Sequence, residues 1–129
     1  LPPSVYAEML GERVQKHGAD VFLVNTGWTG GPYGVGRRME LAHTRAMVRS
    51  ATAGKLRTVD TTRHAIFNLD VPVACPGVPD DVLDPQSTWQ DREAYEIKAR
   101  ELARMFADNF ERFKETVPAE VAKAGPVAD

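Results

Sequence analysis

Residues 21–44 read VFLVNTGWTGGPYGVGRRMELAHT: a short apolar run, a loop holding half of the chain's ten glycines, two adjacent arginines and the start of a new amphipathic pattern. The run Val21 to Asn25 is apolar and rich in branched side chains on consecutive positions, which predicts a strand covered on both faces. The loop follows from Thr26 to about Arg38, and a helix is expected from near Leu41 to Ala53, carrying Leu41, Met47, Val48 and Ala51 and ended by Gly54. A buried strand feeding a helix through a glycine loop places the chain among α/β proteins, which bind ligands beyond the carboxyl ends of their strands.

Outward from that centre, Ser4 opens a helix in which Val5, Met9, Leu10 and Val14 share one face, with Gly18 as its stop. After Gly54 the pattern is weaker, and Ala65, Phe67 and Leu69 alternate as one extended segment or an edge strand. Residues 75–88, with prolines at 76, 79 and 85 and several aspartates, read as an exposed connector. Thr88 then caps a long helix over 89–114, where Tyr95, Ala99, Leu102, Phe106, Phe110 and Phe113 recur at steps of four and three. Such a stripe is a packing face rather than a cofactor box. Pro118 starts a short tail helix that Ala124 to Pro126 ends.

Composition bounds the function. With 129 residues, 43% hydrophobic and 26% charged, the chain supports one domain with a modest core. A formal charge of −2 and a pI near 5.9 supply no general field for nucleic acid, so any anion site is local. No apolar run reaches the roughly 18–20 residues of a membrane span, and a cytoplasmic setting is expected. The chain opens at Leu1 with neither an initiator Met nor the layout of a signal peptide, and is expected to be a piece of a longer protein. Cys75 is a lone structural cysteine, and His17, His43 and His64 lack the spacing of a ligand set.

Three loop chemistries can be set against residues 26–38. The dinucleotide fingerprint G-x-G-x-x-G fails, because the glycines at 31, 34 and 36 fall as G-x-x-G-x-G. The P-loop G-x-x-x-x-G-K-[ST] fails, because Arg37 and Arg38 follow Gly36. A glycine hinge that wraps a ligand and presents the planar guanidinium of Arg38, with or without Arg37, fits. A solvated turn with two surface arginines fits as well, and Trp28 then pins the loop to the core.

Longer motifs decide between them. Leu23-Val24-Asn25-Thr26-Gly27-Trp28, then Gly34, Gly36, Arg37 and Arg38, then Thr44-Arg45-Ala46 together resemble the C-terminal part of the ATP-dependent phosphoenolpyruvate carboxykinases. VYAEML (5–10), FNLDVP (67–72), PGVPDDVLDPQSTW (76–89) and LARMFADNFERF (102–113) extend the resemblance over nearly the whole chain. It implies a mixed α/β fragment of that family's C-terminal nucleotide-binding domain. It also implies a gluconeogenic carboxy-lyase that turns oxaloacetate and ATP into phosphoenolpyruvate, ADP and carbon dioxide. By the same resemblance Arg38, Met39 and Thr44 contact ATP: Arg38 stacks on or bonds base and sugar, Met39 walls a purine face, and the Thr44 hydroxyl reaches a nucleotide edge. The family more often has an aliphatic β-branched residue where Met39 stands.

The family's P-loop, its metal-ligating Lys, His and Asp for Mg or Mn, and its oxaloacetate-binding arginines lie upstream of the position equivalent to Leu1 and have no match here. The resemblance therefore implies that oxaloacetate is reached only through the remainder of the parent chain, that no catalytic or metal residue lies in 1–129, and that this piece alone is inactive. ATP is preferred over GTP by the same likeness. Nucleic acid and membrane are not expected partners. The residues by themselves leave a second reading, an autonomous small α/β module that grips a ligand or partner without chemistry.

Overall fold

The computed structural model describes residues 2–128. The chain is mixed α/β, with helices far outweighing two small antiparallel ribbons. Helix α1 (Pro3–His17) begins at a proline, whose fixed φ suits the first helical position, and no side chain caps it. Gly18 ends it at φ 57°, the left-handed conformation a glycine adopts without a Cβ penalty. Ser4 thus lies inside the helix and is not its cap.

The expected covered strand at residues 21–25 is not a strand. Leu23 is 80% exposed and Val21 62%, and Met9 and Leu10 of α1 are exposed too. A covered strand takes its hydrogen bonds from neighbours on both sides and its cover from helices on both faces. No other strand of the described residues lies beside this run, so its apolar side chains stay outside.

The glycine loop forms the first ribbon, β1 (Trp28–Thr29) against β2 (Arg37–Arg38). It leads into α2 (Leu41–Thr52), which ends before Gly54 close to its expected limit. The helix buries only Ser50; Leu41 and Val48 are exposed, and Met47 and Ala51 half-buried.

The second ribbon pairs β3 (Thr61–Arg63) with β4 (Asp70–Pro72) in the register Thr61↔Pro72, Thr62↔Val71 and Arg63↔Asp70. The single extended segment expected at Ala65, Phe67 and Leu69 is instead the turn between these strands. Asn68 makes the reversal at φ 55°, a conformation its short polar side chain tolerates, and its amide donates to the His64 carbonyl at 2.8 Å.

Residues 75–88, expected as an exposed connector, are exposed at more than half of their positions but carry regular structure. Cys75 and Val78 are buried and bridge each other, and the segment holds two short helices, α3 (Asp80–Leu83) and α4 (Pro85–Thr88). Pro85 starts a helical turn here instead of breaking one. Val82 and Leu83 between the prolines are half-buried. A Cβ at Gly77 would lie 3.3 Å from that of Ala46, so the segment presses on α2.

The long helix α5 runs over Arg92–Glu111, shorter at both ends than the expected 89–114. Its cap is Asp91, not Thr88: the Asp91 carboxylate accepts from the amides of Glu93 at 2.9 Å and Ala94 at 3.0 Å. At the far end a short 3₁₀ turn, Lys114–Thr116, takes over. Tyr95, Ala99 and Ala103, at steps of four, form the buried stripe, whereas Leu102 and Phe106 are largely exposed. The small alanines let the β3–β4 turn approach closely. Ile66 of that turn completes the core, flanked by Phe67, Trp89 and Ala128. The tail returns through α6 (Ala119–Lys123), and Val127 donates to the Ile66 carbonyl at 2.7 Å.

Candidate nucleotide site

The glycine loop is built as a tight hairpin. Pro32 starts the reversal, its carbonyl accepting from the amides of Val35 at 3.0 Å and Gly36 at 2.8 Å. Gly36 then passes so close to the opposite arm that an added Cβ would collide with the carbonyls of Gly31 and Thr29. The amide of Met39 donates to the Gly27 carbonyl at 3.0 Å and closes the base.

The register sets Trp28 opposite Arg38 and Thr29 opposite Arg37. Successive strand residues face opposite sides, so the two arginines diverge. The Arg38 guanidinium carbon sits 5.9 Å from the centroid of the Trp28 ring, within cation–π range. Tyr33 meets the same indole edge-on, centroids 5.2 Å apart. Among the described residues no carboxylate pairs with Arg38, which leaves its planar donors for solvent or ligand.

Met39 is half-buried and lines a cavity of about 280 Å³ with Phe22, Val24, Trp28, Met47 and Trp89. The lining is mostly apolar, and the volume approaches the lower end of small-molecule sites, about 300 Å³. Thr44 is half-buried in the first turn of α2, its amide donating to the Glu40 carbonyl at 3.3 Å. The Thr52 hydroxyl bends back to the carbonyls of Val48 and Arg49. That of Thr44 makes no such bond among the described residues. Arg38 and Met39 are therefore neighbours on one hairpin arm and Thr44 heads the next helix, while of the three only Met39 lines the cavity.

Thr88, read from sequence as a helix cap, does something else. Its hydroxyl accepts from the Gly30 amide at 3.2 Å and from the Thr29 hydroxyl at 3.4 Å, and donates to the Pro85 carbonyl at 2.7 Å. It ties the hairpin to α4. Nothing in the local sequence marks a contact between residues 58 or 59 apart.

A second cavity, about 440 Å³, lies against the β3–β4 ribbon and α5 and is lined in part by His64, Tyr95, Arg63, Asp84 and Arg100. The Nδ1 atom of His64 accepts from the amides of Ile66 and Phe67, both at 3.2 Å, so Nε2 bears the proton it shares with the Tyr95 hydroxyl at 2.8 Å. Loss of hydration, and then the Asp84 carboxylate, push the Tyr95 hydroxyl above its ordinary range. His64 thus holds a turn together. Among the described residues no three His, Cys, Asp or Glu side chains assemble around a point that could hold a metal ion.

The model of a protein family described as phosphoenolpyruvate carboxykinase matches residues 1–81, the stretch that contains the whole hairpin and α2. The chain belongs to the phosphoenolpyruvate carboxykinase family. It is 58% identical over 125 residues to phosphoenolpyruvate carboxykinase (ATP) 2 of Moorella thermoacetica, covering 97% of this chain and 24% of that protein. Phosphoenolpyruvate carboxykinase (ATP) of Caldanaerobacter subterraneus is 52% identical over 126 residues, 98% of this chain and 24% of its own length. That of Bacillus mycoides is 55% identical over 128 residues, 99% and 24% respectively. These relatives extend the likeness past residue 81 to α5 and the tail. The chain spans about a quarter of the length of the carboxykinases it matches.

Proposed function

We propose that this chain is the C-terminal segment of an ATP-dependent phosphoenolpyruvate carboxykinase and forms the nucleoside side of its ATP site. The parent enzyme removes carbon dioxide from oxaloacetate; the enolate oxygen so exposed takes the terminal phosphoryl group of ATP, giving phosphoenolpyruvate and ADP in gluconeogenesis. The work is cytoplasmic, and the rest of the parent chain is the segment's constant partner.

The observation that carries this reading is the Arg38 guanidinium, held on a tight hairpin with its donors uncommitted and followed directly by Met39 at an apolar cavity. A nucleoside needs that pairing: a polarisable surface for the purine and planar donors for base nitrogens and sugar oxygens. Thr44 adds a hydroxyl at the head of α2. The apolar faces at Val21–Val24 and on α1 suit contact with further strands and helices of the parent.

Phosphoryl transfer depends on cations around the reacting phosphate, and the family's Mg or Mn supplies that charge when bound. On this reading the metal and the oxaloacetate site belong to the rest of the parent chain, and this segment alone is inactive. Its contribution is to bind and orient the nucleoside end.

Arg38→Ala in the full-length enzyme tests the reading by steady-state kinetics. The KM for ATP rises much more than the KM for oxaloacetate, and Thr44→Val acts in the same direction but more weakly, consistent with one hydrogen bond of about 0.5–1.5 kcal/mol. Equal effects of Arg38→Ala on both substrates would remove the nucleoside role.

A further inference from the structure

We propose that Trp28 is a positioning residue for ATP, acting through Arg38: its indole face holds the guanidinium in the orientation the nucleotide meets. This rests on the nucleoside-site reading above and adds a residue to it. Three observations support it. The ribbon register places Trp28 and Arg38 directly opposite each other, so backbone hydrogen bonding fixes their separation. The guanidinium carbon lies 5.9 Å from the ring centroid, within the range of cation–π attraction. Tyr33 packs its ring at 87° to the indole, which limits the rotations open to Trp28.

An arginine on an exposed ribbon otherwise samples many rotamers, and ordering it falls on the binding step. A guanidinium drawn toward the indole by cation–π attraction has already lost part of that freedom. Arg37, one residue away, is paired with Thr29 and is not in stacking contact with an aromatic ring among the described residues, so the ribbon distinguishes the two cations that the sequence presents alike. Trp28 also lines the cavity beside Met39, so one ring borders both halves of the site.

The test is a kinetic cycle in the full-length enzyme with Trp28→Leu, Trp28→Phe, Arg38→Ala and the double variant of Trp28→Leu with Arg38→Ala. Trp28→Leu raises the KM for ATP about two- to five-fold, the size of an exposed cation–π contact, and raises that for oxaloacetate less. Trp28→Phe keeps an aromatic face in a folded chain and recovers most of the loss. In the Arg38→Ala background the effect of Trp28→Leu shrinks, because most of it passes through the guanidinium and only the ring's share of the cavity wall remains. Equal ATP effects of Trp28→Leu with and without Arg38 would overturn the positioning role, as would a Trp28→Phe variant no better than Leu. If Arg38→Ala leaves the KM for ATP unchanged, the nucleoside reading fails and the role of Trp28 falls with it; if only Arg38→Ala acts, the nucleoside reading survives and the positioning role does not.

Discussion

Gly36→Ala adds a single methyl group where the hairpin has no room for one. The new Cβ would lie 2.7 Å from the Thr29 carbonyl oxygen and closer still to that of Gly31. Both are backbone atoms of the facing arm, and the Gly36 amide is itself held on Pro32 at 2.8 Å, so relief requires opening the loop. The φ of Gly36 is not in the left-handed region, so the residue's own backbone conformation adds no penalty. Overpacking costs about 1–3 kcal/mol, and a rigid backbone obstacle belongs in the upper part of that range. Restricting the unfolded chain returns about 0.4–1 kcal/mol. The balance, about 2 kcal/mol against the closed hairpin, raises local opening roughly 30-fold.

Hydrogen–deuterium exchange of the full-length enzyme reads this directly. Protection of the peptide over residues 27–39 falls by that factor in Gly36→Ala, and the KM for ATP rises because Arg38 and Met39 lose their support. The control is Gly11→Ala: Gly11 lies inside α1 with nothing within 4 Å of an added Cβ, and alanine there favours the helix by about 0.8–1 kcal/mol. The same substitution therefore slows exchange at one site and speeds it at the other. Unchanged exchange over 27–39 would refute the close approach of the two arms.

Thr88→Val removes the acceptor for the Gly30 amide and the Thr29 hydroxyl while keeping the side-chain shape. At about 1 kcal/mol, exchange at Gly30 speeds up about five-fold, and an unaltered rate there means that the hairpin does not depend on α4. For Tyr95 the sign follows from its raised folded-state pKa: the stabilisation is fully present below the unfolded value, about pH 10, and is lost as pH rises through the folded value. In denaturant titrations Tyr95→Phe therefore shows a shallower decline of stability above about pH 10 than the unaltered protein; parallel declines would mean that the hydroxyl is not protected by burial.

Local signals in the sequence reached far along this chain. Gly18 and Gly54 mark the ends of α1 and α2 because a left-handed residue stops a helix wherever its neighbours are. The spacing of Tyr95 and Ala99 reveals the buried side of α5, and the long motifs around Asn25–Trp28 and Gly34–Arg38 point to the family to which the chain belongs. Residue type drew attention to the pair Arg37 and Arg38, whose side chains are always charged and planar, and only the family resemblance preferred Arg38.

What local pattern could not supply were contacts between residues far apart. Val21 to Asn25 has the composition of a covered strand, yet strand formation needs partners that composition does not provide, and the run is exposed. Thr88 and Asp91 are both good caps by residue type; only the chain's path lets Asp91 take the α5 amides while Thr88 turns toward Gly30. The adjacent arginines carry equal charge in the sequence, and ribbon register alone sets one of them over an indole. Propensity and capping act within a few residues and are written in the order of the letters; register, stacking and burial are properties of surfaces that exist only once distant segments have met.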